Sequence, residues 1–471
     1  MTADLESLAT CFQGLLPAQL FTCSADGVPN AAYLSHVDYV DSSHVALSFQ
    51  FFNKSRRNIA ENPHALIIVI DPDTGQGWQL RLKYVRSETE GALFERMALR
   101  IEAIASYCGL KGIFKLRAAD IYEVRAIEPA AETMGGASED SLDRNIRAAA
   151  QNPVFTMKAL HDVAGRIQRA DGLERLVDSI LEGLDESFGF KHSMILVPAE
   201  EPGVLVTIAT RGYPQNGAGA EVQLGEGIAG LVAEARKPIR IAGLMRGMLY
   251  AYAMHQAEAH PDRAARRGQI PLPGLANPES QLGVPLLVRG ELVGVLCLES
   301  ELRYRFHEED KASIELFGNY LAIAIQNMQM QEQSAQAGST EADARIADVD
   351  PQRAPSRVPG APERCRHEVV YYASDECILV DGEYLIRSLP AKILWRLLTT
   401  HDASGRDEFT NRELRLDRSL SLPEWKDNLE SRLILLRRRL EQKCPDIRIT
   451  PIARGRFKLD LACRIDLSTR P

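Results

Sequence analysis

Leu224-Gly-Glu-Gly-Ile-Ala-Gly230, followed by Ser280-Gln-Leu-Gly-Val-Pro-Leu286 and Gly290-Glu-Leu-Val-Gly-Val-Leu296, is the stretch on which the organisation of this 471-residue chain turns. Gly225–Gly230 matches G-x-G-x-x-G, a pattern that lets a backbone approach a pyrophosphate at a helix N-terminus. That chemistry needs a surrounding βαβ unit and an acidic residue about 20 positions on, to take the ribose hydroxyls. Neither is found, so the glycines read as a tight turn into a helix over Ile228–Ala235. The two later runs read as a β-hairpin spanning Gln281–Glu299. A long amphipathic helix follows from about Glu308, with an apolar seam of Leu316, Phe317, Tyr320, Leu321, Ala324 and Met328, flanked by Ile323 and Ile325. Such a seam fits either its own sheet or a second subunit.

Composition sets outer limits. At 471 residues, two to four domains are expected. A net charge of −9 argues against nucleic acid binding over the whole surface and leaves room for a local basic patch. The eight cysteines form no Cys-x-x-Cys pair and no zinc spacing, so they read as reduced, structural thiols of a cytoplasmic protein. The opening MTADLESLAT has no signal pattern, and no apolar run approaches the roughly 20 residues of a spanning helix, so no membrane partner is expected.

Two stretches read as linkers: Pro129–Asn152, rich in Ala, Gly, Glu and Ser, and Ala335–Glu363, poor in large apolar residues and rich in Ala, Pro, Asp and Arg. Cutting there gives a block at 1–130, a linker at 131–152, a block at 153–332, a flexible linker at 333–363 and a block at 364–471. The chain is thus expected to be a multidomain α+β protein.

The first block reads as mostly β, with runs at Asn30–Val40, His44–Phe52, Ala65–Ile70 and Asp120–Ile127, and a helix over Thr89–Tyr107. Trp78, Leu80, Leu82 and Tyr84 alternate with Gln79, Arg81 and Lys83, giving one strand an apolar face and a polar, cationic one. Within Asn53-Lys-Ser-Arg-Arg-Asn-Ile-Ala-Glu-Asn-Pro63, Ser55 reads as an N-cap and the helix stops before Pro63. Lys54, Arg56 and Arg57 crowd the end where the helix dipole is already positive; a bound phosphate would relieve that conflict, and a solvated basic turn is the alternative. Phe52–Ala65 together with Trp78-Gln-Leu-Arg81 resembles the pyridoxamine-phosphate-oxidase-like FMN-binding split β-barrels, over about residues 15–128. The resemblance implies that Ser55, Arg56 and Arg57 hold an FMN phosphate and that Gln79 and Arg81 lie near the flavin. Arg57 stands where that family usually has Lys, and can pair with phosphate in a bidentate way. No counterpart of the oxidase's C-terminal substrate segment is found, so pyridoxamine-phosphate oxidation is not expected.

In the middle block, Asp162–Gly183 reads as a helix and Ser193–Val197 and Val204–Thr210 as strands. With the glycine turn, the hairpin and the closing helix Phe306–Asn327, this resembles a GAF domain, an α/β sandwich, over about 160–330. That implies a small-molecule ligand on one sheet face and a homodimer. Leu244–Asn277 reads as an insertion, a pocket lid or a variable loop. Haem is the alternative cofactor, with His36, His44, His64, His192, His255 and His260 as candidate ligands. Cys444-Pro445 is a haem-motif-like dipeptide. Cys297 sits in a core strand, a poor place for bilin attachment.

In the last block, Tyr371–Val380 and Glu383–Ile386 read as strands joined by Asp381-Gly382. Pro390–Thr399, Thr410–Leu416 and Leu422–Gln442 read as helices, and Arg448–Pro451 with Gly455–Leu461 as a hairpin. Ten Lys/Arg stand against four Asp/Glu between Lys426 and Lys458, the footprint of a DNA-facing surface in an acidic protein. Asn428–Leu440 with Arg454-Gly-Arg-Phe-Lys-Leu459 resembles the winged-helix effector domain of OmpR/PhoB-type regulators, over about 369–462. The resemblance implies that Lys426, Arg432, Arg437 and Arg438 on the third helix, and Arg454 and Arg456 on the wing, meet double-stranded DNA. Ile434 and Leu435 depart from it: apolar residues at groove-facing positions suit thymine methyls or a protein contact. The expected function is a cytoplasmic one-component transcription regulator that couples a flavin-like or small-molecule ligand to DNA binding. A flavin-dependent oxidoreductase with a regulatory GAF domain, and a haem or gas sensor, are the alternatives. No acid, base and nucleophile set is found.

Overall fold

The computed structural model describes residues 4–8, 11–13, 18–34, 36–50, 54–71, 76–107, 115–130, 157–170, 172–214, 217–242, 270, 272–276, 278–302, 305–306, 308–338, 366–420, 429–453 and 455–470. Among these, no helix is long and apolar enough to cross a membrane.

The N-terminal unit is a seven-stranded antiparallel sheet in the order β2-β1-β5-β6-β7-β4-β3. Its strands are β1 (Ala18–Cys23), β2 (Pro29–Leu34), β3 (Val37–Asp41), β4 (His44–Phe49), β5 (His64–Ile70), β6 (Gly77–Glu88) and β7 (Ala118–Pro129). Helix α1 (Lys54–Glu61) joins β4 to β5, and α2 (Ala92–Tyr107) joins β6 to β7. Val45, Leu47, Ile67, Val69, Leu80 and Leu82 form its core. The expected single strand Asn30–Val40 is two strands at opposite edges of the sheet. A run of β-forming residues carries no mark of such a crossover, and the short β1 was not anticipated at all.

The middle unit is a six-stranded antiparallel sheet, β10-β9-β8-β13-β12-β11. Its strands are β8 (His192–Pro198), β9 (Val204–Arg211), β10 (Glu221–Gln223), β11 (Ile239–Ala242), β12 (Ser280–Val288) and β13 (Glu291–Ser300). The helix expected over Asp162–Gly183 is a hairpin of α3 (Met157–Arg169) and α4 (Leu173–Phe188). Gly183 lets the pair close, because a Cβ there would stand 2.9 Å from Val163 Cγ2. Helix α5 (Gly227–Ala235) follows the glycine turn. Gly225 and Gly227 hold left-handed φ values of 74° and 58°, and a Cβ on Gly230 would stand 2.1 Å from the Gln223 carbonyl oxygen. Helix α6 (Glu308–Gly338) buries Ile314, Phe317, Leu321 and Ile325 in the core and packs on β12.

The C-terminal unit has two sheets, β16-β15-β14-β20 and β17-β19-β18. Their strands are β14 (Arg366–Tyr372), β15 (Cys377–Val380), β16 (Glu383–Arg387), β17 (Glu408–Thr410), β18 (Ile447–Ala453), β19 (Arg456–Leu461) and β20 (Arg464–Arg470). Between β16 and β18 come helices α7 (Ser388–Ser404), α8 (Asn411–Leu416) and α9 (Leu429–Lys443). A capping box of Thr410 and Glu413 starts α8. Tyr371–Val380, expected as one strand, turns back on itself as β14 and β15. The unanticipated β20 pairs in parallel with β14. Lys426 and Arg454 lie outside the described residues.

The Gly230 contact makes a test. Gly230→Ala forces a backbone shift between β10 and α5, and is expected to lower stability by about 1–3 kcal/mol, read as a lower urea midpoint. An unchanged midpoint would reopen the nucleotide-loop reading of the glycines.

Candidate functional site

The five residues expected to hold flavin fall in two places. Ser55 is buried inside the first turn of α1, and its Oγ accepts a hydrogen bond from Asn30 Nδ2 at 2.9 Å. Asn58 Nδ2, one turn on, donates to Thr22 Oγ1 at 3.2 Å. The Arg56 guanidinium lies over the Phe49 ring, 4.1 Å from its centroid. It also draws down the carboxyl of Asp120, which burial pushes up. Arg57 is exposed. Gln79 and Arg81 instead line a groove of about 760 Å³ over β1, β5 and β6, with Phe21, His64, Leu66, Lys83 and Arg125. Arg81 pairs with Glu128 at 3.2 Å and Arg125 with Glu123 at 2.7 Å. The groove's cations and apolar floor suit an anionic, planar ligand such as FMN. Ser55, Arg56 and Arg57 do not line that groove. Of the histidines, His36 is buried and burial pushes its pKa down. His44 Nδ1 bonds Asp41 at 2.9 Å, His64 is on the groove, and His192 packs on Tyr213. His255 and His260, with most of the expected lid, lie outside the described residues.

In the middle unit, the expected hairpin carries a buried polar pair. Gln281 Nε2 donates to Glu299 Oε1 at 2.7 Å, and Leu275 N donates to Glu299 Oε2 at 3.0 Å. Burial pushes the Glu299 carboxyl up against the downward pull of these bonds. Gln281 Oε1 finds no hydrogen-bond partner among the described residues. Burial also pushes the Cys297 thiol up, the opposite of what a nucleophile needs. Cys297 belongs to a cluster with Met194, Leu196 and Val295 that α5 and Ala103 of α2 cover. There the glycine turn acquires its role. Gly227 N, at the start of α5, donates to Ser106 Oγ at 3.2 Å, and Lys237 pairs with Glu95. The helix end where a nucleotide phosphate would sit is capped by the N-terminal domain.

The basic residues of α9 are placed differently from what the winged-helix resemblance implies. Arg432, Arg437 and Arg438 are 6%, 8% and 8% exposed and face the middle unit. Arg437 Nη1 pairs with Glu174 Oε2 at 2.8 Å, Arg438 pairs with Asp178, and Arg432 Nη2 donates to Pro198 O at 3.1 Å. Arg387, before α7, pairs with Glu221. Ile434 and Leu435 are buried in this arrangement, Leu435 against Gly219. Arg456 is exposed and pairs with Glu408 at 2.9 Å. The acidic partners were missed in the sequence, although Glu174 and Asp178 stand one turn apart on α4, opposite its Leu/Val/Ile stripe.

Residues 5–129 match the family model for pyridoxamine 5'-phosphate oxidase and residues 170–326 match that for the GAF domain. The N-terminal unit is therefore a pyridoxamine-phosphate-oxidase-like domain and the middle unit a GAF domain. Similar solved structures include the GAF domain of a phosphoenolpyruvate-protein phosphotransferase from Coxiella burnetii, 23% identical, covering 37% of this chain and 95% of that one, with a TM-score of 0.29. An FMN-binding protein from Syntrophomonas wolfei subsp. wolfei is 16% identical, covering 27% of this chain and 90% of that one, with a TM-score of 0.23. Free methionine-R-sulfoxide reductase from Neisseria meningitidis, in complex with its substrate, is 19% identical, covering 37% and 95%, with a TM-score of 0.29. No curated protein matches the chain.

The buried Glu299 makes a pH test. Its raised pKa means the folded state keeps the proton to higher pH than the unfolded chain, at about 4.3. Stability contributed at Glu299 therefore falls as pH rises through and above that range. Glu299→Gln keeps the shape and can donate to Gln281 Oε1. It is expected to be more stable than wild type at neutral pH, with a flatter stability profile from pH 4 upward. Equal slopes in the two proteins would contradict the placement.

Proposed function

We propose that this chain is a one-component sensor and transcription regulator in which the GAF domain holds the DNA-reading helix of a C-terminal winged helix until a ligand releases it. The observation that carries this reading is the burial of Arg432, Arg437 and Arg438 against Glu174, Asp178 and Pro198. Burying a guanidinium costs several kcal/mol, and a permanent interface is often equally stable or more so with apolar residues there. Arginines on a covered helix face make sense if that face must also work when wet. The element order of the C-terminal unit, sheet, helix, strand, two helices and hairpin, supports the winged-helix reading. The groove on the pyridoxamine-phosphate-oxidase-like domain is read as the site of an anionic planar ligand, with FMN the first to try.

Release multiplies apparent DNA affinity by the inverse of the undocked fraction. In the full chain, Glu174→Lys with Asp178→Lys sets cation against cation. It is expected to raise affinity for duplex DNA about 10-fold or more over wild type, measured by fluorescence anisotropy, with a steeper salt dependence. No gain in affinity, with the fold intact, would remove the masking claim. No DNA binding by either protein would remove the regulator reading.

A homodimer is proposed through α6. Leu316, Tyr320, Ile323 and Met330 are exposed at 49%, 58%, 49% and 50%. With the exposed Asn327 they follow a spacing of four and three, which is the seam of a two-stranded coiled coil with one polar position. Light scattering is expected to give a dimer for the wild type and a monomer for Tyr320→Glu with Ile323→Glu. A wild-type monomer would contradict the proposal.

A further inference from the structure

His367, Asp446 and Cys463 come from three separate segments of the C-terminal unit: β14, the turn between α9 and β18, and the turn between β19 and β20. One donor atom from each lies within 4.8 Å of the others. The backbone builds this meeting. Ala462 N donates to Asp446 O at 2.8 Å, Ile447 stands opposite Leu461, and β14 and β20 run in parallel with His367 opposite Ile465. His367 Nε2 is 3.1 Å from Asp446 Oδ2. Its other nitrogen, Nδ1, is 2.5 Å from Asp381 Oδ2, and Asp381 Oδ1 is fixed by the backbone N–H of Glu368 at 2.9 Å.

We propose that His367, Asp446 and Cys463 form a three-ligand site for a divalent transition-metal ion of the zinc type, with Asp381 orienting His367 from the outer side. An imidazole nitrogen, a thiolate and a carboxylate oxygen are the donors such an ion takes, whereas Mg²⁺ and Ca²⁺ want oxygen alone. Bonds of about 2.0–2.3 Å in a tetrahedron set donor atoms about 3.3–3.8 Å apart, so the cluster closes on an ion with shifts of about an ångström. A carboxylate on the far nitrogen of a ligating histidine is the usual outer support, fixing tautomer and ring direction. On binding, the Cys463 thiol proton and any proton on His367 Nε2 leave to solvent. The competing account is an imidazolium bridging Asp446 and Asp381 with no ion, and the thiolate band in the test below separates the two. The ion would tie the exit of α9 to the hairpin and to the outer sheet. This inference does not depend on the DNA reading.

The test uses the full chain, reduced and stripped with chelator, with Co²⁺ as the probe. Expected is uptake of one Co²⁺ per chain with a near-ultraviolet thiolate-to-cobalt band and intense visible bands of four-coordinate cobalt, all displaced by Zn²⁺. Cys463→Ser should abolish the thiolate band, and His367→Gln and Asp446→Asn should weaken uptake at least as much as the outer variant does. Asp381→Asn should keep the band and weaken binding about 10–100-fold. Absence of the thiolate band in the wild type, or its persistence in folded Cys463→Ser, overturns the proposal. Should Cys463→Ser fail to fold, Asp381→Asn decides: unchanged Co²⁺ affinity overturns it.

Discussion

Guanidinium desolvation on α9 is the constraint to which the rest of the arrangement answers. Arg432, Arg437 and Arg438 each lose nearly all contact with water, and an unpaired charge so buried would cost several kcal/mol. The opposing surface must therefore supply acceptors at fixed places. Helix α4 does so because its apolar stripe (Leu173, Leu176, Val177, Ile180, Leu184) is committed to its own sheet, leaving Glu174 and Asp178 on the other side. The remaining gap is closed by Ile434 and Leu435, and at Gly219 the backbone stays at φ 91° without a side chain in the way. Glu174 and Asp178 keep 30% and 54% of their side-chain surface in water. That half-wet character resembles contacts between domains that move, more than a core.

The GAF sheet lies between this contact and another. Strands β8 and β13 are covered by α4 and α6 on one face and by α5 on the other, and Ala103 of α2 from the N-terminal domain joins the second cluster. Ser106 takes the N–H of Gly227, so the end of α5 is set by a residue over a hundred positions earlier. The Gln281–Glu299 pair sits on β12 and β13 at the rim of that face. A change in the charge or the partners of Glu299 would act on the face that touches the N-terminal domain, while β9 and α4 of the same body touch α9.

Legibility in the sequence followed how local each signal was. Alternation in Trp78–Tyr84 gave away β6, and Asp381-Gly382 gave away the β15–β16 turn, with φ values of 51° and 80°. The glycine motif was read as a turn from what it lacked, but Ser106, which explains its geometry, carries no local mark. The crossover between β2 and β3, the parallel partner β20 and the break at Gly172 depend on distant partners. Arg432, Arg437 and Arg438 were visible as a basic cluster, yet that Arg437 and Arg438 meet carboxylates is decided by α4, 263 and 260 residues away in sequence. Ile434 and Leu435 were the one local sign that this helix has a protein partner. His367, Asp446 and Cys463 were invisible to a search for metal-ligand spacing, because ladder register rather than sequence proximity brings them together.

A composition that predicts a flexible stretch at 333–363, of which 333–338 instead complete α6, raises the question of how a signal could cross the remainder, since a flexible tether transmits proximity but not rotation. With α9 seated directly on α4 and β9, the two blocks touch without it. The problem then becomes one of two populations. Moving the helix from 1% to 99% undocked needs a ligand that favours the undocked GAF domain by about 5.5 kcal/mol; a ligand indifferent to the seat moves nothing, however tightly it binds. A seat whose ion pairs are half solvated keeps that difference within the reach of one small molecule. A seat made of apolar residues alone would hold more tightly and switch less easily. In the regulator we propose, the arginines of α9 set both ends of the switch: the groups that hold it closed are also the groups that would engage DNA phosphates when it opens.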